Sequence, residues 1–290
     1  REHRLFVNSK DVAREFHATT YEATGEVELK APERPITLHE HIASRAFAGL
    51  SCLPYGQLLA ERALGLLDEC DPLDGPVRVL IPSRAGASLF GWMATLFDAA
   101  TLDARKTFLA RDDGSGLFHR HIHLVDDGAL PGGLRTVGFD DRGVRPVPLT
   151  LIREGHVDSR FLDPVTAREV GTRPTGHVHD GRLRPTNLQL HTGTRSVNAN
   201  LGEMGDALVF VVDDFPDLPE GLDLATGDLD VVVDGQVMRG QTHLGARRRV
   251  RLTGNLVDAL REIPAITSDT DRHMNVDAPA FFVDGLSVKG

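Results

Sequence analysis

The stretch LDVVVDGQV, residues 229–237, places Leu229, Val231, Val233 and Val237 at odd positions along one short run. Alternation with period two is the signature of a strand with one face buried. The same texture recurs in HRHIHLVDD (119–127), RTVGFDDRG (135–143), PLTLIREGHV (148–157), LRPTNLQLHTG (183–193), ALVFVVDD (207–214) and RRRVRLTG (247–254). Gly, Asp and Pro separate these runs, the residues that tight turns demand. Most of the chain beyond residue 117 therefore reads as antiparallel sheet, with one helix, NLVDALREI (255–263).

Upstream, VRVLI (77–81) is a compact apolar run and predicts a buried strand. The next segment, SRAGASLFGWMATLFDAA (83–100), carries Leu89, Phe90, Met93, Leu96 and Phe97 as a helical stripe, with Ser83 placed to cap it. The turn-rich DPLDGP (71–76) marks a boundary between a region 1–75 and a region 76–290. In the first region RLFVNS and REFHATTYEATGEVELKA predict short strands, and two helices are expected, at 39–50 and 55–70. The second helix aligns Leu59, Ala63, Leu66 and Leu67 on one face. The class is α+β: a β-rich antiparallel C-terminal domain with few helices, preceded by a smaller strand-plus-helix region.

A chain of 290 residues with 41% hydrophobic content has enough apolar mass for a sizeable core. Its net charge of -10 argues against nucleic acid, whose phosphates need concentrated Lys and Arg. The basic run RRRVR (247–251) suits a strand with one solvated face. No apolar run is long enough to cross a membrane as a helix. Two cysteines, Cys52 and Cys70, form no framework, so a cytoplasmic location is expected.

On a strand, His119, His121 and His123 would share one face, neighbours ~7 Å apart, so two of them could grip one metal ion. The outer pair would stand ~13 Å apart, too far to share it. A third ligand would have to come from Asp126, Asp127, His177 or His179. The alternative is a polar strand face with hydrogen-bonded or solvated histidines. The pairs Asp126–Asp127, Asp140–Asp141 and Asp213–Asp214 read as turn formers at strand ends.

The order of the later segments says more than any one of them. FDDRGVRPVPLTLIREGHVDSRFLDPVTAREVG (139–171) is followed by RPTNLQLHTG (184–193), LTGNLVDALREI (252–263) and DAPAFFVDGLSVKG (277–290). Together, from about Val77 to Gly290, these resemble the TldD/PmbA family, also known as modulators of DNA gyrase. Residues 1–75 are similar to the family's middle region, and the resemblance implies a further N-terminal portion absent from this sequence. It also implies a heterodimer that cleaves peptides, one subunit of the TldD type holding zinc and one of the TldE/PmbA type holding none. The zinc motif of the former, His-Glu-x-x-x-His, would fall on the helix after VRVLI, with a cysteine near the C terminus.

Here Gly91 and Trp92 stand where His-Glu would begin and Leu96 where the second His would fall. The loop ITSDTDRHMNVDAP (266–279) has no cysteine. The expectation is a TldE/PmbA-like subunit with no catalytic residue or cofactor of its own, completing the peptide groove of a zinc-bearing TldD-like partner. On the resemblance, Arg184, Asn187, Arg272 and His273 are groove candidates, while a strand start for Arg184, a loop contact for Asn187 and a turn for Gly193 are the structural alternatives. Two other readings stay open: a stand-alone hydrolase with a relocated metal site, using His119 or His121 with His123 and an Asp, and a non-enzymatic interaction module.

Overall fold

The computed structural model describes the chain apart from residues 32, 33, 52, 53, 113 and 115 and the side chain of residue 51. Two hairpins come first: β1 (Glu2–Val7) with β2 (Ala13–Ala18), and β3 (Tyr21–Leu29) with β4 (Ile36–Ser44). The segment expected as a helix at 39–50 is thus strand as far as Ser44 and helical only from Phe47. Ile36 and Leu38 are buried in alternation with exposed neighbours, and β4 keeps register with β3 along its full length, which outweighs helical spacing. Helices α1 (Phe47–Ser51) and α2 (Tyr55–Leu64) follow. The second buries Leu59 and Ala63, with Leu66 just beyond, against Ile36, Leu38 and Ala246. It stops at Gly65, short of residue 70. Cys52 lies outside the described residues.

The larger region opens with β5 (Gly75–Ile81), α3 (Ser83–Met93) and α4 (Ala99–Asp103). It continues through β6 (Leu124–Asp126), β7 (Leu149–Arg153), β8 (His156–Val157), α5 (Pro164–Glu169), β9 (Val178–His179), β10 (Arg182–Leu183) and β11 (Leu188–Leu190). After α6 (Val197–Glu203), β12 (Leu208–Val212) and α7 (Leu218–Gly221) come the long strands β13 (Asp228–Arg239) and β14 (Thr242–Asn255). The last elements are α8 (Leu256–Arg261), β15 (Ala265–His273) and β16 (Val276–Lys289).

Ten of these strands form one mostly antiparallel sheet. Part of it closes on itself. β5 lies parallel to β12 and antiparallel to β16, β12 pairs with β13, β13 with β14, and β14 returns to β16. Val79, Val231, Val233, Val250, Leu252 and Val283 of this ring are buried in one apolar core. Along β13 the residues Leu229, Val231, Val233 and Val237 are buried as their alternation predicts. Helix α3 packs on β16, with the Phe90 ring edge-on to Phe281 at 5.8 Å.

Three local expectations fail for identifiable reasons. Residues 119–123 are not strand. The backbone turns at Arg120–His121, Ile122 N–H donates to the His119 carbonyl (2.8 Å), and Leu117 and Phe118 donate to Gly155 rather than to a ladder. Residues 135–143 are not strand either, because Asp140 accepts from the backbone of Arg142 and Val144 and closes a turn. Ser83 does not cap α3. Pro82 occupies that position, and the Ser83 hydroxyl donates to the Asp269 carbonyl at 3.0 Å.

Candidate functional site: an arginine-lined cleft beside α3

Helix α3 presents Ala87, Ser88, Gly91 and Trp92, and the turn after it Thr95, to a cleft of about 500 Å³. The opposite wall is the turn between β15 and β16, His273 to Val276, and the third side is Arg135 with the segment Arg182–Pro185. Close packing explains the glycine on α3, since a Cβ at position 91 would press on Val276 at 3.3 Å. At the turn Met274 adopts a left-handed backbone (φ 54°), and Asn275 ties it down, its amide donating to the Thr186 carbonyl and its own carbonyl accepting from Leu188.

The arginine wall rests on a buried polar frame. Asp126 accepts from the Thr186 backbone N–H at 2.6 Å, from the Thr186 hydroxyl, and pairs with His177 Nε2 at 3.1 Å. Both Asp126 and His177 are fully buried. Asn187, also buried, accepts the backbone N–H of Arg135 (2.9 Å) and donates to the Asp127 carbonyl (2.8 Å) and the Thr136 hydroxyl (3.1 Å). The guanidinium of Arg135 donates to the Pro185 carbonyl at 3.3 Å. Burial, and then the neighbouring Arg184, hold the pKa of Arg135 below its ordinary value.

Behind His273 the charges are paired. Glu40 accepts from Arg62 (3.2 Å) and Arg84 (3.0 Å), Arg62 also grips Asp213 with both arms of its fork, and Arg84 reaches Asp214 at 2.8 Å. The network joins β4 and α2 to α3 and the segment after β12. His273 Nδ1 lies 3.6 Å from the second oxygen of Glu40, and burial lowers its pKa against the pull of that carboxylate.

Of the groove candidates, Arg184 and His273 line this cleft. Arg272 does not: it is ion-paired with Asp277 and lines a separate cleft with Gln189 and His191, because neighbours on a strand face opposite ways. Asn187 is a buried support. The histidine trio is split, His119 packed edge-on to His121 (4.8 Å) and His123 against His191 (4.1 Å). His177 is occupied by Asp126. Among the described residues the group with metal-ligand geometry is a different one, His3, Glu15 and His17, exposed on the β1–β2 hairpin. Its residues are distant in sequence and meet only because strand pairing sets His3 opposite His17.

The cleft does not suit zinc. Gly91 and Trp92 stand on its wall without a ligand atom, and Leu96 is buried in the core with Phe97. Among the described residues His273 is its one imidazole, and three arginines around it oppose a cation.

The sequence profile of the PmbA/TldA metallopeptidase C-terminal domain matches residues 74–290. The chain belongs to this metallopeptidase family. It is 24% identical over 216 residues to the metalloprotease PmbA of Escherichia coli O157:H7, covering 73% of this chain and 45% of the relative. It is 22% identical over 257 residues to the PmbA homologue of Haemophilus influenzae, covering 87% and 54%. The chain thus spans about half the length of the curated relatives it matches. Among solved structures, TldE from Thermococcus kodakarensis superposes with a TM-score of 0.82 at 19% identity, covering 99% of this chain and 67% of that one. A Thermotoga maritima protein named for modulation of a DNA gyrase gives 0.86 at 22%, covering 98% and 66%. These shared folds confirm the α+β, strand-rich class.

Proposed function

We propose that this chain is a TldE/PmbA-type subunit without a catalytic metal, which completes the peptide groove of a zinc-bearing TldD-like partner in the cytoplasm. One observation carries the reading. The positions at which the resemblance would put the zinc motif are Gly91 and Trp92 of α3 on the cleft wall and Leu96, just past the end of α3, in the core, none with a side chain fit to bind zinc or activate water. Membership in a metallopeptidase family supports peptides as the class of ligand, and extended peptides are commonly held along sheet edges and clefts.

The test is hydrolysis of an unstructured peptide by this chain alone, by a TldD-like partner alone, and by the mixture. Activity restricted to the mixture, with zinc carried by the partner, supports the reading. Hydrolysis by this chain alone with stoichiometric zinc overturns it. The zinc content is read on His17→Ala as well, so that metal on the surface group of His3, Glu15 and His17 is not mistaken for a catalytic ion.

A further inference from the structure

We propose that the cleft between α3 and the Arg182–Arg184 segment binds the terminal carboxylate of a peptide. This deepens the peptide-groove reading and rests on it. The chain as a whole is acidic, 42 carboxylate residues against 32 basic ones, yet no aspartate or glutamate lines this cleft among the described residues. Arg135, Arg182 and Arg184 do line it.

Their partners elsewhere are weak. Arg135 has a backbone carbonyl rather than a carboxylate. Arg184 has one loose pair at 3.4 Å with Asp180, itself highly exposed, and such surface pairs contribute little. Arg182 has no ion pair among the described residues. Asp126, a buried carboxylate behind this wall, is already committed to Thr186 and His177. Guanidinium groups lining a concave surface that no carboxylate shares focus a positive potential there and offer paired N–H donors that match a carboxylate.

The remaining walls favour a peptide over a bare ion. Trp92, Leu183, Met274 and Val276 supply apolar surface beside the arginines, and about 500 Å³ accommodates a side chain as well as the terminal group. Capture of a C-terminal carboxylate beside a pocket for the last side chain is a recurrent way of reading peptide ends.

Fluorescence anisotropy on this chain, with fluorescein-labelled penta-alanine as the free acid and as its C-terminal amide, tests the assignment. The expected result is binding of the acid about tenfold or more tighter than the amide, the loss typical of one charge-assisted contact. In the exposed double variant Arg182→Gln/Arg184→Gln that preference should vanish. Equal binding of acid and amide overturns the proposal, as does displacement of the peptide by inorganic phosphate at matching concentration. Acid preference without activity on mixing sinks the subunit reading alone. Activity on mixing without acid preference sinks the carboxylate site alone.

Discussion

Asn187 and Arg135, far apart in sequence, are joined by a hydrogen bond in which the Asn187 side-chain oxygen accepts the Arg135 backbone N–H at 2.9 Å. The bond fixes the loop from which Arg135 enters the cleft. Since Asn187 is 2% exposed and makes three such contacts, Asn187→Leu strands buried polar groups and should cost about 2 to 4 kcal/mol. Urea unfolding measures it, and an unchanged midpoint would contradict the structure.

Gly193 lies against β15 so closely that an added Cβ would overlap the Ile266 carbonyl oxygen, which is backbone and cannot swing aside. Gly193→Ala should therefore destabilise by roughly 3 kcal/mol or more, a large effect for one methyl group. Gly181→Ala is the contrast: it meets nothing and pays only for its positive φ of 73°, on the order of 1 kcal/mol.

The Arg62 fork on Asp213 ties the N-terminal hairpin and helix to the larger region. Arg62 is 20% and Asp213 14% exposed, so replacing Arg62 with Met removes counter-charge from a carboxylate that water screens poorly. A loss of roughly 2 to 3 kcal/mol is expected. The double variant Arg62→Met/Asp213→Leu should recover part of it, and no recovery would show that the pairing is not what matters.

Burial holds the pKa of His119, His123, His179 and His273 below the ordinary 6.5. A histidine with a depressed folded pKa binds its proton more readily in the unfolded chain. Their contribution is complete above about pH 6.5 and declines as pH falls from there towards the folded values. Urea midpoints taken at about pH 7.5 and about pH 5.5 should fall with acid, and His273→Gln should flatten part of that slope.

The long strands were legible because burial of one face leaves a period-two trace, as along β13, and α3 because its stripe of Leu89, Phe90 and Met93 is buried. Short range misled where turn chemistry competed. His119 to His123 alternate like a strand, yet the His119 N–H donates to the Leu260 carbonyl and the Ile122 N–H turns back on the His119 carbonyl. The cleft was half visible. Arg184 and His273 could be named from family order, but Arg135 arrives on a loop held by Asn187, a long-range contact with no local signal.

The closed ring of strands carries a cost in time. Ile81 on β5 is paired with Phe281 on β16, so the ring cannot close until segments on the order of 200 residues apart have met. Folding dominated by such distant pairings is slow, since chain entropy is lost before the contacts that offset it form. Until β16 docks, the apolar edge of β5 at Val79 and Ile81 lacks its partner, and it is this interval that exposes the chain to aggregation.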